Sequence, residues 1–173
     1  MRSTKLVALV LTAGFIAFWL FPASAMAASP IVLWEDIIGI IQAGNVVGSG
    51  TGHATGGGQP WSTKQGSARV NLQTGMVEFL VQGLVLAGGN SIGTPDAVTQ
   101  VKGTLVCNTS GSAGGGNSVL VDTDLVPLDD QGDAHFVGDV GNLPLACLAE
   151  PDIAFLIRAS NGLWIANGSV RKP

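Results

Sequence analysis

The chain has no tyrosine, two cysteines, two histidines and little charge: of 173 residues, 8 are Lys or Arg and 12 are Asp or Glu. Each scarcity removes a class of function. Tyrosine supplies the rigid amphipathic contacts of antibody-like and sugar-binding platforms, and its lack argues against both. The basic residues beyond the first few positions, Lys64, Arg69, Lys102, Arg158, Arg171 and Lys172, are scattered. Nucleic acid and anionic membrane both need clustered Lys and Arg, so neither is expected as a partner. His53 and His135 are too few for a zinc site built on histidine alone. There is no G-x-S-x-G and no spare thiol, so nucleophilic hydrolysis has no motif. Low charge with 46% hydrophobic residues also excludes disorder.

Long apolar runs are confined to one place. Arg2 and Lys5 precede an uncharged stretch, residues 6–21; Pro22 ends it, and Ala23-Ser24-Ala25-Met26-Ala27 offers small residues for cleavage. That order is a secretory signal peptide, and its apolar run is shorter than the roughly 20 residues that span a bilayer. Cleavage after Ala27, with Ala25 as the rival site, leaves residues 28–173 as one domain with no transmembrane segment. Removing Arg2 and Lys5 leaves six basic residues against twelve acidic ones, a formal charge of −6. The expected location is secreted or periplasmic. In that compartment Cys107 and Cys147 read as a structural disulfide.

What is abundant is glycine (25 residues) together with Val, Thr, Ser and Asn, which suits strands joined by tight turns. Residues 29–42 are ambiguous. Ile31, Trp34, Ile37, Ile38 and Ile41 would share a helical face, but Gly39 and the β-branched density favour a strand-like or irregular lead-in. Residues 46–54 read as a strand. Ala68, Val70 and Leu72 alternate before a turn at Gln73-Thr74-Gly75, and Val77, Phe79 and Val81 alternate after it, which is a hairpin. Residues 98–107 form a strand. Residues 118–128 and 133–140 read as a second hairpin about Asp129-Asp130-Gln131-Gly132. Residues 153–159 and 163–170 flank Ser160-Asn161-Gly162, where Asn-Gly predicts a type I′ turn. Seven to nine strands without helical crossovers predict an all-β, mostly antiparallel β-sandwich.

Few residues offer chemistry. Gly48-Ser49-Gly50-Thr51-Gly52 with Gly56-Gly57-Gly58 lacks the Lys and the strand-turn-helix setting of a phosphate loop, and reads as bulges and turns. Asp133 and His135 share one side of a strand, a suggestive but unspecific metal pair. Asp122, Asp124, Asp129, Asp130, Asp133 and Asp139 form an acidic run across one hairpin; Asp122, Asp124 and Asp133 are its calcium candidates, though EF-hand spacing is absent. Glu35, Glu78 and Glu150 have no context that marks a glycosidase pair. Trp34 and Trp164 read as core. Trp61, after Gly-Gln-Pro in a loop, is the best exposed binding candidate. Asn108-Thr109-Ser110 and Asn167-Gly168-Ser169 are glycosylation sequons.

The segment from Gly66-Ser67-Ala68-Arg69-Val70-Asn71-Leu72 through Gly75-Met76-Val77-Glu78-Phe79 to Gly83-Leu84 resembles a hairpin of secreted CHRD-type β-domains. It covers under a fifth of the chain. The histidine-rich strand of that family is missing, since no His lies between Gly83 and Cys107, and no residue role carries over. The expectation is therefore a secreted, non-enzymatic β-domain that binds a protein or glycan at the cell surface or forms surface structure. It has no catalytic residue and no cofactor. The alternative is an exported β-sandwich hydrolase or calcium-binding domain using the acidic hairpin.

Overall fold

A computed structural model describes residues 30–111, 116–148 and 152–172; the expected signal peptide lies outside them. The strands are β1 (Ile31–Gly39), β2 (Val46–Val47), β3 (Ala54–Thr55), β4 (Trp61–Ser62), β5 (Gln65–Asn71), β6 (Met76–Gln82), β7 (Val85–Leu86), β8 (Gln100–Cys107), β9 (Val119–Asp122), β10 (Val126–Pro127), β11 (Ala134–Asp139), β12 (Ile153–Ala159) and β13 (Trp164–Lys172). One antiparallel sheet runs β10-β8-β12-β13-β1-β5-β6-β11, with β9 also on β8; β2–β3 and β4–β7 are separate small ladders. The all-β, antiparallel expectation holds. The two facing layers are halves of one curled sheet: Phe155 on β12 meets Trp34 on β1 at 5.5 Å and Phe79 on β6 at 6.0 Å. Gly103 on β8 makes this contact possible, because a Cβ there would lie 2.7 Å from the Phe155 ring and 2.9 Å from Phe79.

β1 explains why residues 29–42 were ambiguous. Val32 and Trp34 are buried, Glu35 and Asp36 are both exposed, then Ile37 is buried. The register against β13 shifts between Trp34 and Ile37. A bulge of this kind adds a residue and moves the buried face by one position. The spacing of Trp34 and Ile37 therefore imitates a helix while the backbone stays extended.

The expected strand at 46–54 is instead an arm. β2 and β3 flank a single 3-10 turn, Gly50–Gly52. The arm's base is held at Trp164, whose indole Nε1–H donates to the Asn45 C=O at 3.0 Å. Its tip is held at Ser118, whose Oγ accepts from Ser49 N–H at 2.8 Å, and at Asn117, whose Oδ1 accepts from Thr51 N–H at 2.9 Å. Between these anchors lie β12 and β8, so the arm crosses their outer face. Thr104, Val106 and Leu156, which point away from the Leu105 and Phe155 side, are fully buried as a result. A Cβ on Gly52 would sit 1.6 Å from the Ser118 C=O, so close backbone approach accounts for glycine at this point of the run.

Two hairpin expectations need correction. Residues 118–128 and 133–140 do not form a two-stranded ladder: β9 and β10 pair with β8, and β11 pairs with β6. The turn itself is present, with Asp129 N–H donating to the Asp133 C=O at 3.1 Å. The next rung would set Pro127 against His135, and proline has no N–H to give. The C-terminal hairpin is correct, but its turn is not type I′. Asn161 is not among the residues with positive φ, while Gly162 has φ 88°. Gly162 N–H bonds the Ala159 C=O and Ala159 N–H bonds the Leu163 C=O, each at 2.9 Å. This is a three-residue loop with glycine in the left-handed position.

Cys107 and Cys147 are bonded. The bridge ties the segment after β11, a turn at Leu145–Cys147, to the end of β8. Among the described residues no helix is long and apolar enough to cross a membrane.

Candidate functional site

The strand ends that carry residues 159–164, 56–61 and 95–100 gather at one end of the sheet. They enclose a groove of about 170 Å³ lined by Trp61, Leu86, Pro95, Val98, Leu163 and Ile165, with Gln59, Asp96 and Asn161 also on its wall. Trp61 is not the exposed loop residue the sequence suggested. It lies in β4 opposite Leu86 and is only 6% exposed, because the Gly57-Gly58-Gln59-Pro60 approach turns it inward. Among the described residues its indole N–H has no acceptor, yet no buried polar atom is sealed away without a partner. The N–H therefore opens on the groove, beside Gly57.

The rim is fixed by local hydrogen bonds. Asp96 holds φ 52°, uncommon for a residue with a Cβ. Ser91 Oγ donates to its carboxylate, and its own N–H bonds Thr94 Oγ1, both at 3.2 Å. On the far side of the groove, Asn161 Oδ1 accepts from Leu163 N–H at 3.1 Å. A larger hollow of about 420 Å³ is lined by Val85 and glycines together with Thr63, Lys64, Asp130 and Gln131.

The acidic run is dispersed. Asp122, on the outer face, pairs with Lys102, accepts from Thr104 Oγ1 at 2.6 Å and from Arg158 at 3.1 Å. Burial pushes its carboxyl up, but Lys102, Thr104 and Arg158 together outweigh that and hold it below the ordinary range. Asp133 Oδ1 accepts from Gly83 N–H at 2.8 Å, Asp129 Oδ1 from the N–H groups of Gln131 and Asp133, and Asp139 Oδ1 from Gly141 N–H at 2.6 Å. Asp124 is exposed beside Thr123. His135 is exposed on β11, and Asp133, just before that strand, is committed to Gly83. His53 Nδ1 contacts the Gly50 C=O at 2.7 Å inside the arm. Among the described residues, no three His, Cys, Asp or Glu side chains come together as a metal-ion group.

Trp34 and Trp164 are buried, as expected. Of the carboxylates without context, Glu35 pairs with Lys172 at 2.6 Å and Glu78 stands opposite Arg69; Glu150 lies outside the described residues. Sequence reasoning missed Leu86, Pro95, Asp96 and Ile165. The Pro95-Asp96 turn just before a strand was the available signal. The two-residue β4–β7 ladder that brings Leu86 to Trp61 leaves none.

The fold and groove define a curled antiparallel β-domain with a loop-built, tryptophan-floored recess at one end. Compared with protein-family models, with curated proteins and with solved structures, the chain matches none.

Proposed function

We propose that the chain is an exported, non-enzymatic β-domain whose end groove takes one apolar side chain of a protein partner outside the cytoplasm. The observation that carries this is the unpartnered Trp61 N–H opening on a recess of about 170 Å³. Pockets that enclose a whole small molecule usually measure about 300–1,000 Å³, so this one suits a single group of a larger partner. Apolar walls accept the side chain. The indole N–H donates to a neighbouring carbonyl of the partner, and a buried donor left without an acceptor is costly. The pairing of an apolar pocket with one oriented donor is how aromatic anchors earn their place in interfaces. The signal-peptide pattern supports the location.

The indole N–H resonances of Trp34, Trp61 and Trp164 report on this directly. Titrating a periplasmic or culture-medium extract fractionated for binding should shift the Trp61 resonance and leave those of Trp34 and Trp164 unmoved. Trp61→Phe keeps an aromatic ring, though a smaller one, and removes the donor, and should weaken binding about tenfold or more, one buried hydrogen bond alone accounting for about tenfold. A bound partner that shifts other surfaces while Trp61 stays still would remove the groove from consideration. Binding on a glycan array that depends on Trp61 would replace the protein partner with a sugar.

A further inference from the structure

The curled sheet is not stitched shut. β10 and β11 lie in contact at the turn after Leu128, but among the described residues no ladder joins β9 or β10 to β11. The direction of the free groups on both sides can be worked out. Val140 N–H bonds the Gly75 C=O on the β6 side. Backbone direction alternates along a strand, so Val137 and Asp139 turn their N–H and C=O away from β6. Thr123 N–H bonds the Gly103 C=O on the β8 side, so Leu120 and Asp122 turn theirs away from β8. The seam thus has two facing edges with main-chain donors and acceptors, and Pro127 stops the hairpin from zipping them together.

Side chains tell the same story. Inward-facing residues of the interior strands, such as Val32, Val70, Phe79, Val81, Leu105 and Phe155, are at most 2% exposed. Their counterparts beside the seam, Val119 and Val121 opposite Cys107 and Leu105, and Phe136 stacked on Phe79 at 5.8 Å, are only partly buried. The core is therefore incompletely covered along this one line. On the outer side stand Val137, 56% exposed, and the exposed carboxylate of Asp139, and Asp124, just past the end of β9, is exposed as well.

We propose that the β9–β11 seam receives an extended segment of a partner protein, added as a strand, with apolar residues facing Phe136 and Val121 and basic residues facing Asp139 and Asp124. Unpaired main-chain groups on an edge call for another strand. The half-covered inner face calls for alternate apolar residues, and the outer carboxylates for Lys or Arg between them. The seam is separate from the Trp61 groove, and neither reading depends on the other.

The test uses the signal-cleaved protein and a synthetic ten-residue peptide alternating valine and lysine. The control peptide replaces each lysine with glutamate. Hydrogen exchange should slow at Val137 and Asp139 on binding the lysine peptide, and the glutamate peptide should bind about tenfold more weakly or worse. Val137→Pro removes a main-chain donor that faces the seam and not β6, so the fold survives while peptide affinity falls about tenfold. Asp139→Lys, which leaves the backbone intact, should reverse the preference between the two peptides. Equal binding of both peptides, unchanged exchange at Val137 and Asp139, or undiminished binding by the Val137→Pro protein would each overturn the proposal. So would concentration-dependent self-association that protects the same amides without peptide, since a second copy would then be the occupant.

Discussion

Asp122 holds Lys102, Thr104 and Arg158 on one carboxylate, the first two from the preceding strand β8 and the third from β12. Its folded titration point lies below the ordinary value of 3.8. A lowered carboxyl contributes stability that is complete above the unfolded value and is lost as pH falls through the folded one. Asp122→Asn should therefore cost about 1 kcal/mol near neutral pH, the upper end for a partly exposed network, and nothing in strong acid. Urea unfolding of both proteins at the two pH values checks the sign as well as the size. Asn108 is also informative at this scale. It is 1% exposed and its Nδ2 donates to the Asn117 C=O at 2.8 Å, so the first sequon is internal in the folded protein. Asp152, which no motif marked, anchors the same corner. Hydroxyl hydrogen bonds from Ser110 and Thr109 hold its carboxyl below the ordinary range.

Elements with clean alternation were legible from sequence. Ala68, Val70, Val77, Phe79 and Val81 fall on the buried face as their period requires. Legibility failed where local pattern and partner choice part company. In β1 the bulge at Glu35 and Asp36 breaks the period, and only the register against β13 reveals why. In residues 118–128 alternation is real, yet it says nothing about which neighbour a strand will take. Pro127 carried the missing information, since it cannot supply a rung. The groove was half legible: Trp61 was singled out, but its burial follows from a two-residue ladder with Leu86 that no pattern announces. The bulge makes a sharp prediction. Deleting Glu35 sets Trp34 and Ile37 two residues apart, so simple alternation keeps both on the buried face. The cost should stay below about 1.5 kcal/mol, less than the value of one large apolar side chain lost from the core, read as a shift in the urea midpoint at constant slope.

For the molecule as a whole, the arm supplies a second layer outside the curled sheet. Gly52→Ala cannot be accommodated without lifting the tip from Ser118. Detachment would uncover Val106 and Leu156 over the outer face, and should cost about 1–3 kcal/mol. Faster hydrogen exchange at Thr51 and increased binding of a hydrophobic dye, with β12 amides still protected, would show release of the arm alone. A larger consequence follows from the strand order. β1 is paired on one side with β5 and on the other with β13, Leu33 standing opposite Lys172. The first of the described strands and the last are neighbours, so the middle of the sheet is the final part to be completed. A nascent chain of this kind has no finished core until its last nine-residue strand has emerged, and contacts of such long sequence separation form slowly. Delay in synthesis is a liability for most proteins. Under the export proposed above, a closing strand placed this late would keep the chain open while it is threaded through a narrow pore.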